Sequence, residues 1–255
     1  MLNARLLRWA AWAPGLETLE SWHAWARDPV PIVAEGQPEA RFLPPLLRRR
    51  CTPLTRIMLT AAFACCAEKE RGEVRSVFAS RHGSINESIE MLEAIAEEKP
   101  LSPAKFSHTV HNAQAGLFSI AANNRRASSS LAAQEDTFGC GYLEALAHLE
   151  REPARPVLLV MGDVPLAETF AHLIDEPPAS YALALLLAAT DSGAPVAEDE
   201  MLAFEWRTGD VIAPKPWPAA LEFLRWWLIG AESELALGLR RCRWVWQRPF
   251  NPDYS

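Results

Sequence analysis

Glu135-Asp136-Thr137 sets two carboxylates at the start of a helical pattern, just after the small-residue stretch Ser128 to Ala133. Exposed N–H groups and the helix macrodipole favour carboxylates there, so the residues read either as a helix cap or as a catalytic carboxylate. Chemistry alone favours the cap. His108 and His111 stand three residues apart, a spacing that puts both imidazoles on one helix face and that some metal sites use. No third ligand at a fixed spacing accompanies them, so they read as a hydrogen-bonded structural pair, and no metal is expected. Arg48-Arg49-Arg50 suits the phosphate of a carrier or cofactor, although such runs are more often solvated or ion-paired. Gly139-Cys140-Gly141 begins a dinucleotide fingerprint but lacks the third glycine and falls inside a helical stretch, so no cofactor is expected. A G-x-S-x-G elbow and a P-loop are both absent. The five cysteines are odd in number, irregularly spaced and free of any C-x-x-C pair, and Cys65-Cys66 lies in an alanine-rich stretch that reads as a buried helix.

The elements that must position these groups belong to an ordinary globular chain. Of its 255 residues 49% are hydrophobic and 22% charged, which excludes a disordered or collagen-like polymer. A formal charge of −7 argues against a nucleic-acid binder held by phosphate contacts. Met1 to Arg8 has no continuous apolar region and no cleavage site. The longest apolar run, Tyr181 to Ala189, is about half of what a membrane span needs. A cytoplasmic, soluble protein of one domain over residues 1–255 is the expectation.

Leu6 to Ala13 is bulky and aromatic and stops at Pro14-Gly15, as a strand entering a turn does. Glu17 to Arg27 suits a short helix, and Asp28 to Pro45 is proline-rich and irregular. Thr52 as N-cap and Pro53 at the first helical position open a helix running to Glu68. Val74 to Ser80 reads as a strand with alternating faces, Arg81 to Ser84 as a turn, and Asn86 to Glu98 as a helix with Ile85, Ile89, Leu92 and Ile95 on one stripe. Ser102-Pro103 opens a long helix through Phe106, Val110, Ala113, Leu117 and Ile120. Then come a strand over Ser128 to Ala133, a helix from about Phe138 to Glu150, and a strand over Pro156 to Met161. Tyr181 to Ala189 reads as a buried strand or a short core helix, the strand favoured by Pro177-Pro178 before it and Asp191-Ser192-Gly193 after it; Trp217 to Leu239 reads as a helix and Arg243 to Trp246 as a terminal strand. Strands alternating with helices predict an α/β sheet between helical layers.

Pro100 to Leu117, with Ser102-Pro103, Phe106, Asn112 and Ala115-Gly116, resembles the S-P-x-x-F…N-x-x-A-G segment of β-ketoacyl synthases. Ala127 to Thr137 resembles the strand-to-helix turn on which those enzymes carry their cysteine. Trp12 to Leu16, Phe42 to Pro45, Arg48 to Arg50, Val77 to Gly83 and Leu158 to Asp163 match in the same order. The set is similar to short bacterial β-ketoacyl synthase-like proteins of the chain-length-factor type, often encoded beside aryl polyene pigment genes. The resemblance implies an α/β fold, the N-terminal half of a thiolase-like structure with a mixed sheet between helices.

Active members of that family condense an acyl thioester with a malonyl unit, using a helix-activated cysteine and two histidines of the C-terminal half. Aligning Ser102-Pro103 and Asn112 without gaps puts Glu135 where that cysteine belongs, with Cys140 more than a helical turn later. None of the six histidines matches the missing pair. A carboxylate cannot hold an acyl chain as a thioester, so no catalytic residue is expected. The resemblance therefore implies a non-condensing subunit of a heterodimer with a full-length β-ketoacyl synthase, meeting an acyl carrier protein through that partner. It implies Leu101, Ala104, Lys105 and His108 as the wall of the partner's acyl tunnel, and Phe106, Val110, Ser128, Ser130 and Ala132 as interface. Two other roles stand beside this one: decarboxylation of a malonyl carrier by Glu135 or Gln134, and a purely structural scaffold without acyl contact.

Overall fold

The computed structural model describes residues 1–174, 176–190, 200–208, 215–238 and 242–248. Among these residues an eight-stranded mixed sheet forms the spine. In chain order its strands are β1 (Leu2–Trp12), β2 (Arg75–Ala79), β3 (Ser128–Leu131), β4 (Val157–Asp163), β5 (Tyr181–Ala188), β6 (Met201–Arg207), β7 (Glu234–Leu237) and β8 (Arg243–Gln247). Across the sheet they lie β3-β2-β4-β5-β1-β6-β8-β7. β3, β2 and β4 run parallel, and every other neighbouring pair is antiparallel. The helices are α1 (Leu19–Arg27), α2 (Pro45–Arg48), α3 (Pro53–Cys65), α4 (Glu68–Arg71), α5 (Ile85–Ala96), α6 (Pro103–Phe106), α7 (Ala113–Ala122), α8 (Thr137–Arg151), α9 (Glu168–Ala171) and α10 (Ala219–Ile229). Parallel strands require crossovers, and α5 to α8 lie within the two crossovers that link β2, β3 and β4.

β4 and β5 are buried along their whole length, which their unbroken apolar runs demand, because both faces of the sheet must then be covered. On one face α3 and α7 set Leu54, Ile57, Met58 and Phe118 against Leu158, Val160 and Leu186. On the other α8, α10 and α1 bring Phe138, Tyr142, Phe223 and Trp22 against Val77, Leu159 and Leu185. α3 starts where its sequence dictates, the Thr55 N–H donating to Thr52 Oγ1 at 3.1 Å beside Pro53. Cys65 and Cys66 are buried at its end. Burial pushes both thiols up, Cys66 to about 12, so they stay protonated and inert. Among the described residues no helix is long and apolar enough to cross a membrane.

Several expectations from sequence need correction. The long helix from Ser102 to Ile120 is two helices, α6 and α7, separated by turns over residues 107–112. Ser107 Oγ donates to the Ala104 carbonyl at 2.7 Å and Thr109 Oγ1 to the Phe106 carbonyl at 2.9 Å, local bonds that compete with helix continuation. His108 and His111 therefore do not share a helix face. The helix over Trp217 to Leu239 ends at Ile229, because Gly230 takes a φ of 76° and caps it, and the chain returns as strand β7. β2 does not alternate: all five of its residues are buried. No sequence expectation covers β6, which buries Leu202 and Phe204 between half-exposed neighbours. The helix opening at Thr52 ends at Cys65, and Glu68 begins the separate α4.

Candidate functional site

Because β2, β3 and β4 are parallel, their carboxyl ends lie together, and the three loops that leave them meet there. That edge of an open α/β sheet is where ligands and chemistry usually gather. From β3 the chain passes through a single 3₁₀ turn, Gln134–Asp136, into α8. Gln134 takes a φ of 54°, a conformation non-glycine residues rarely hold. Thr137 fixes the turn: its Oγ1 accepts the Ala133 N–H at 2.9 Å and donates to the Gln134 carbonyl at 2.6 Å. Trp244 of β8 donates from Nε1 to Asp136 Oδ1 at 2.7 Å. The indole comes this close because Gly139 has no side chain; a Cβ there would stand 2.3 Å from the Trp244 ring. The Gly139-Cys140-Gly141 signal thus reports close packing, not a phosphate cradle.

The loop after β2 supplies the cation. Arg81 pairs with Glu135 at 3.4 Å and with Glu176 at 3.1 Å, and the Arg81 and Glu135 side chains are only 10% and 11% exposed. From the end of β4, Asp163 organises the same loop. It accepts from Ser80 Oγ at 2.7 Å and from the backbone N–H groups of Arg81 and His82, each at 3.1 Å. Burial pushes its carboxyl up to about 6 despite these three bonds, while burial and the Arg81 charge draw the His82 imidazole down to about 4. Gly83, at a φ of 56°, approaches His111 so closely that a Cβ would lie 2.7 Å from its Nδ1. Gln114 Nε2 donates to Ser84 Oγ at 3.1 Å, so the start of α7 is tied to the same loop.

The Asp163 shift carries a sign. A carboxyl whose value rises on folding contributes most below its unfolded value near 3.8, and that contribution is lost as pH climbs through about 6. Wild type should therefore lose stability relative to Asp163→Asn as pH rises from 4 to 6, read from urea midpoints.

Chemically, the turn offers an amide and two carboxylates and no thiol. Cys140 lies inside α8, where burial and the nearby Asp136 push its thiol up, away from the reactive thiolate. Among the described residues no three His, Cys, Asp or Glu side chains cluster in a manner that could hold a metal. Leu101, Ala104, Lys105, Phe106 and Val110 are exposed, and His108 is half-buried, its imidazole drawn down by burial and by Arg50. Lys105 Nζ pairs with Glu90 at 2.8 Å and so joins α6 to α5. Arg49 and Arg50 are exposed. Arg81, Asp163, Glu176 and Trp244 are the site residues that sequence reasoning passed over. Arg81 and Asp163 fall in the matching segments Val77 to Gly83 and Leu158 to Asp163, which are their only signal in the sequence.

β3 is the sheet's edge. The backbone N–H groups of Ser76 and Ser80 on the β2 side donate to the carbonyls of Ala127 and Leu131. The two-residue period of a parallel ladder then turns the main-chain groups of Ser128 and Ser130 away from β2, toward the open side.

Residues 22–247 match the model of the β-ketoacyl synthase N-terminal domain. The chain belongs to that family. Its mixed sheet between helices is the N-terminal half of the thiolase-like fold. Over 97% of this ketosynthase-family chain and 100% of the other, it superposes with a TM-score of 0.82 and 28% identity on a structure of a ketosynthase (ApeO) in complex with its chain length factor (ApeC) from Xenorhabdus doucetiae. The ishigamide ketosynthase/chain length factor matches over 97% and 99% of the two chains, at TM-score 0.72 and 12% identity. A type II polyketide synthase acyl-carrier protein in complex with its ketosynthase bound to the hexaketide matches over 97% and 99%, at TM-score 0.69 and 9% identity. At these last two identities the likeness is one of fold. No curated protein matches significantly.

Proposed function

We propose that this chain is a non-condensing, chain-length-factor-like subunit that pairs with an active β-ketoacyl synthase and shapes its acyl tunnel. The observation that carries the reading is the thiol-free turn between β3 and α8. The strained residue of that turn, the one a strand-to-helix elbow thrusts outward, is Gln134, not Glu135. Neither side chain can form a thioester. End-to-end likeness to a chain from a ketosynthase–chain length factor complex supports the same assignment. Pairing runs through the β3 edge, with Ser128 and Ser130 along it and Ala132 just past its end, and through Phe106 and Val110. An acyl carrier protein meets the complex through the synthase, and the products are of fatty-acid or polyketide type, aryl polyenes included.

In this reading Leu101, Ala104, Lys105 and His108 wall the partner's tunnel, and chain growth stops where a side chain fills its end. Each methylene then discriminates by about 1–3 kcal/mol. Ala104→Trp in the heterodimer should shorten the products, as mass spectrometry of the released chains would read. Ala104 is exposed in the isolated chain, so the change leaves the fold alone; an unaltered product distribution removes Ala104 from the gate.

One further observation bears on priming by decarboxylation. Gln134 is exposed at the turn, whereas Glu135 is held by Arg81, and a buried anion repels a malonate carboxylate. If the chain releases carbon dioxide from a malonyl carrier, Gln134 is the residue to replace. Retained release in Gln134→Ala would end that role.

A further inference from the structure

Where β4 ends and β5 begins lies a cavity of about 80 Å³. One water needs about 10–15 Å³ by that measure, so the space admits a small organic molecule. Its walls are mostly apolar. Pro165 and Leu166 come from the loop after β4, Ile174, Pro177 and Pro178 from the segment entering β5, and Pro218 from the N-cap of α10. Proline carries no N–H, so these walls offer a ligand few donors.

The polar groups of the lining differ in what they still have free. Asp163 and Tyr181 are direct partners in the β4–β5 register and so share one face of the sheet. Asp163 already accepts from Ser80 Oγ and from two backbone N–H groups. Tyr181 is 2% exposed, and among the described residues no hydrogen bond reaches its hydroxyl. Burial keeps that hydroxyl protonated. A buried hydroxyl needs a partner, and the cavity it lines is where one can be met. His82 lines the same space, and its imidazole makes no hydrogen bond among the described residues either. Drawn down to about 4, that ring is neutral near pH 7 and has one donor and one acceptor.

Charge narrows the ligand further. Asp163 and Glu176 both border the cavity, while the neighbouring cation, Arg81, is held by Glu135 and Glu176. An anion would face two carboxylates. An ammonium would have to leave water for walls of proline and leucine. A hydroxyl on an apolar body meets neither cost.

We infer that this cavity binds a small uncharged molecule with an apolar body and one hydroxyl group, Tyr181 and His82 holding the hydroxyl and the prolines enclosing the body. The site stands independently of the heterodimer reading. Its occupant touches Glu176, which grips Arg81, and Asp163, which holds the loop after β2, so it bears on the turn through both.

Cyclohexanol, cyclohexanecarboxylate and cyclohexylammonium differ only in their polar group and test this on the full chain. Followed by amide NMR shifts at neutral pH, cyclohexanol should saturate with a Kd on the order of 1 mM, the strength a ligand of its size reaches. The shifts should centre on His82, Asp163, Leu166 and Tyr181. Cyclohexanecarboxylate should bind at least about tenfold more weakly. Tyr181→Phe should bind cyclohexanol about tenfold more weakly, yet unfold at or above the wild-type temperature, because the hydroxyl has no bond within the chain to lose. No saturable binding of cyclohexanol, shifts centred elsewhere, or wild-type affinity in Tyr181→Phe would overturn the assignment. Tighter binding of the carboxylate or the ammonium would overturn it too, since charge and not the Tyr181–His82 pair would then select the ligand. Each of these failures leaves the heterodimer reading as it stands.

Discussion

A Ser130→Pro chain should fold as wild type does and yet bind its ketosynthase about 100-fold more weakly, the scale of a blocked edge-strand contact. The reasoning is one of hydrogen-bond direction. β3 gives the main-chain groups of alternate residues to β2, and Ser130 falls on the other set, so its N–H is not part of the ladder. Proline at an outward-facing edge position removes no bond from the chain's own sheet. It does remove a donor from the open side and puts a ring where a partner strand would approach. Ser129→Pro is the matched control. Ser129 faces β2 with its main chain, and its Oγ donates to Glu144 at 2.6 Å and lies 3.1 Å from His148 Nε2. That substitution breaks the ladder and the side-chain cluster together, so it should destabilise the isolated chain itself. Thermal unfolding of both variants alone, and titration of each against the synthase, separates the two effects. Equal affinity of Ser130→Pro and wild type would mean that the edge of β3 is not where subunits join.

The contrast between those serines shows which parts of the molecule were readable in its letters. The continuous apolar runs at Val157 to Met161 and Tyr181 to Ala188 are buried strands, the second singled out from a core helix by the turn residues around it, and Thr52-Pro53 starts a helix as its chemistry suggests. Local chemistry settled those. Less legible were features decided by more distant neighbours. Residues 107–112 carry a helical period, but their own hydroxyls break the helix. Trp217 to Leu239 keeps an apolar period through Gly230, and the chain reverses there because β8 offers Leu235 and Leu237 a strand to pair with. The α5 stripe was visible as a pattern, but not that it faces away from the core. The site shows the same division. Glu135 stood out because it follows a strand and starts a helix. Gln134 was harder to single out, since positive φ leaves no mark on a glutamine. Arg81 and Asp163 belong to other strands, and only the parallel register of β2, β3 and β4 brings them to the turn.

That register also makes Arg81 a residue whose removal should cost the isolated chain heavily. Arg81→Met withdraws a guanidinium from two carboxylates at once, Glu135 at 3.4 Å and Glu176 at 3.1 Å. Breaking a buried pair from one side typically costs about 3–5 kcal/mol, because the opposite charge stays in a poorly solvated place. Glu135→Gln should cost less: Arg81 keeps Glu176, and an amide still accepts a hydrogen bond. Adding Glu135→Gln to Arg81→Met should therefore restore part of the loss, giving a coupling that two independent sites would not show. Urea midpoints of the four proteins close this cycle, and the coupling should change little with salt, since both side chains are about nine-tenths buried. Strict additivity would show that Arg81 does not hold the turn through Glu135. A measurable coupling would give Glu135 its physical role: it anchors the bend that in a working synthase presents a thiol, and its charge is already committed to Arg81. On the proposed reading such a chain docks and shapes a tunnel, while its turn offers no thiol to carry an acyl group.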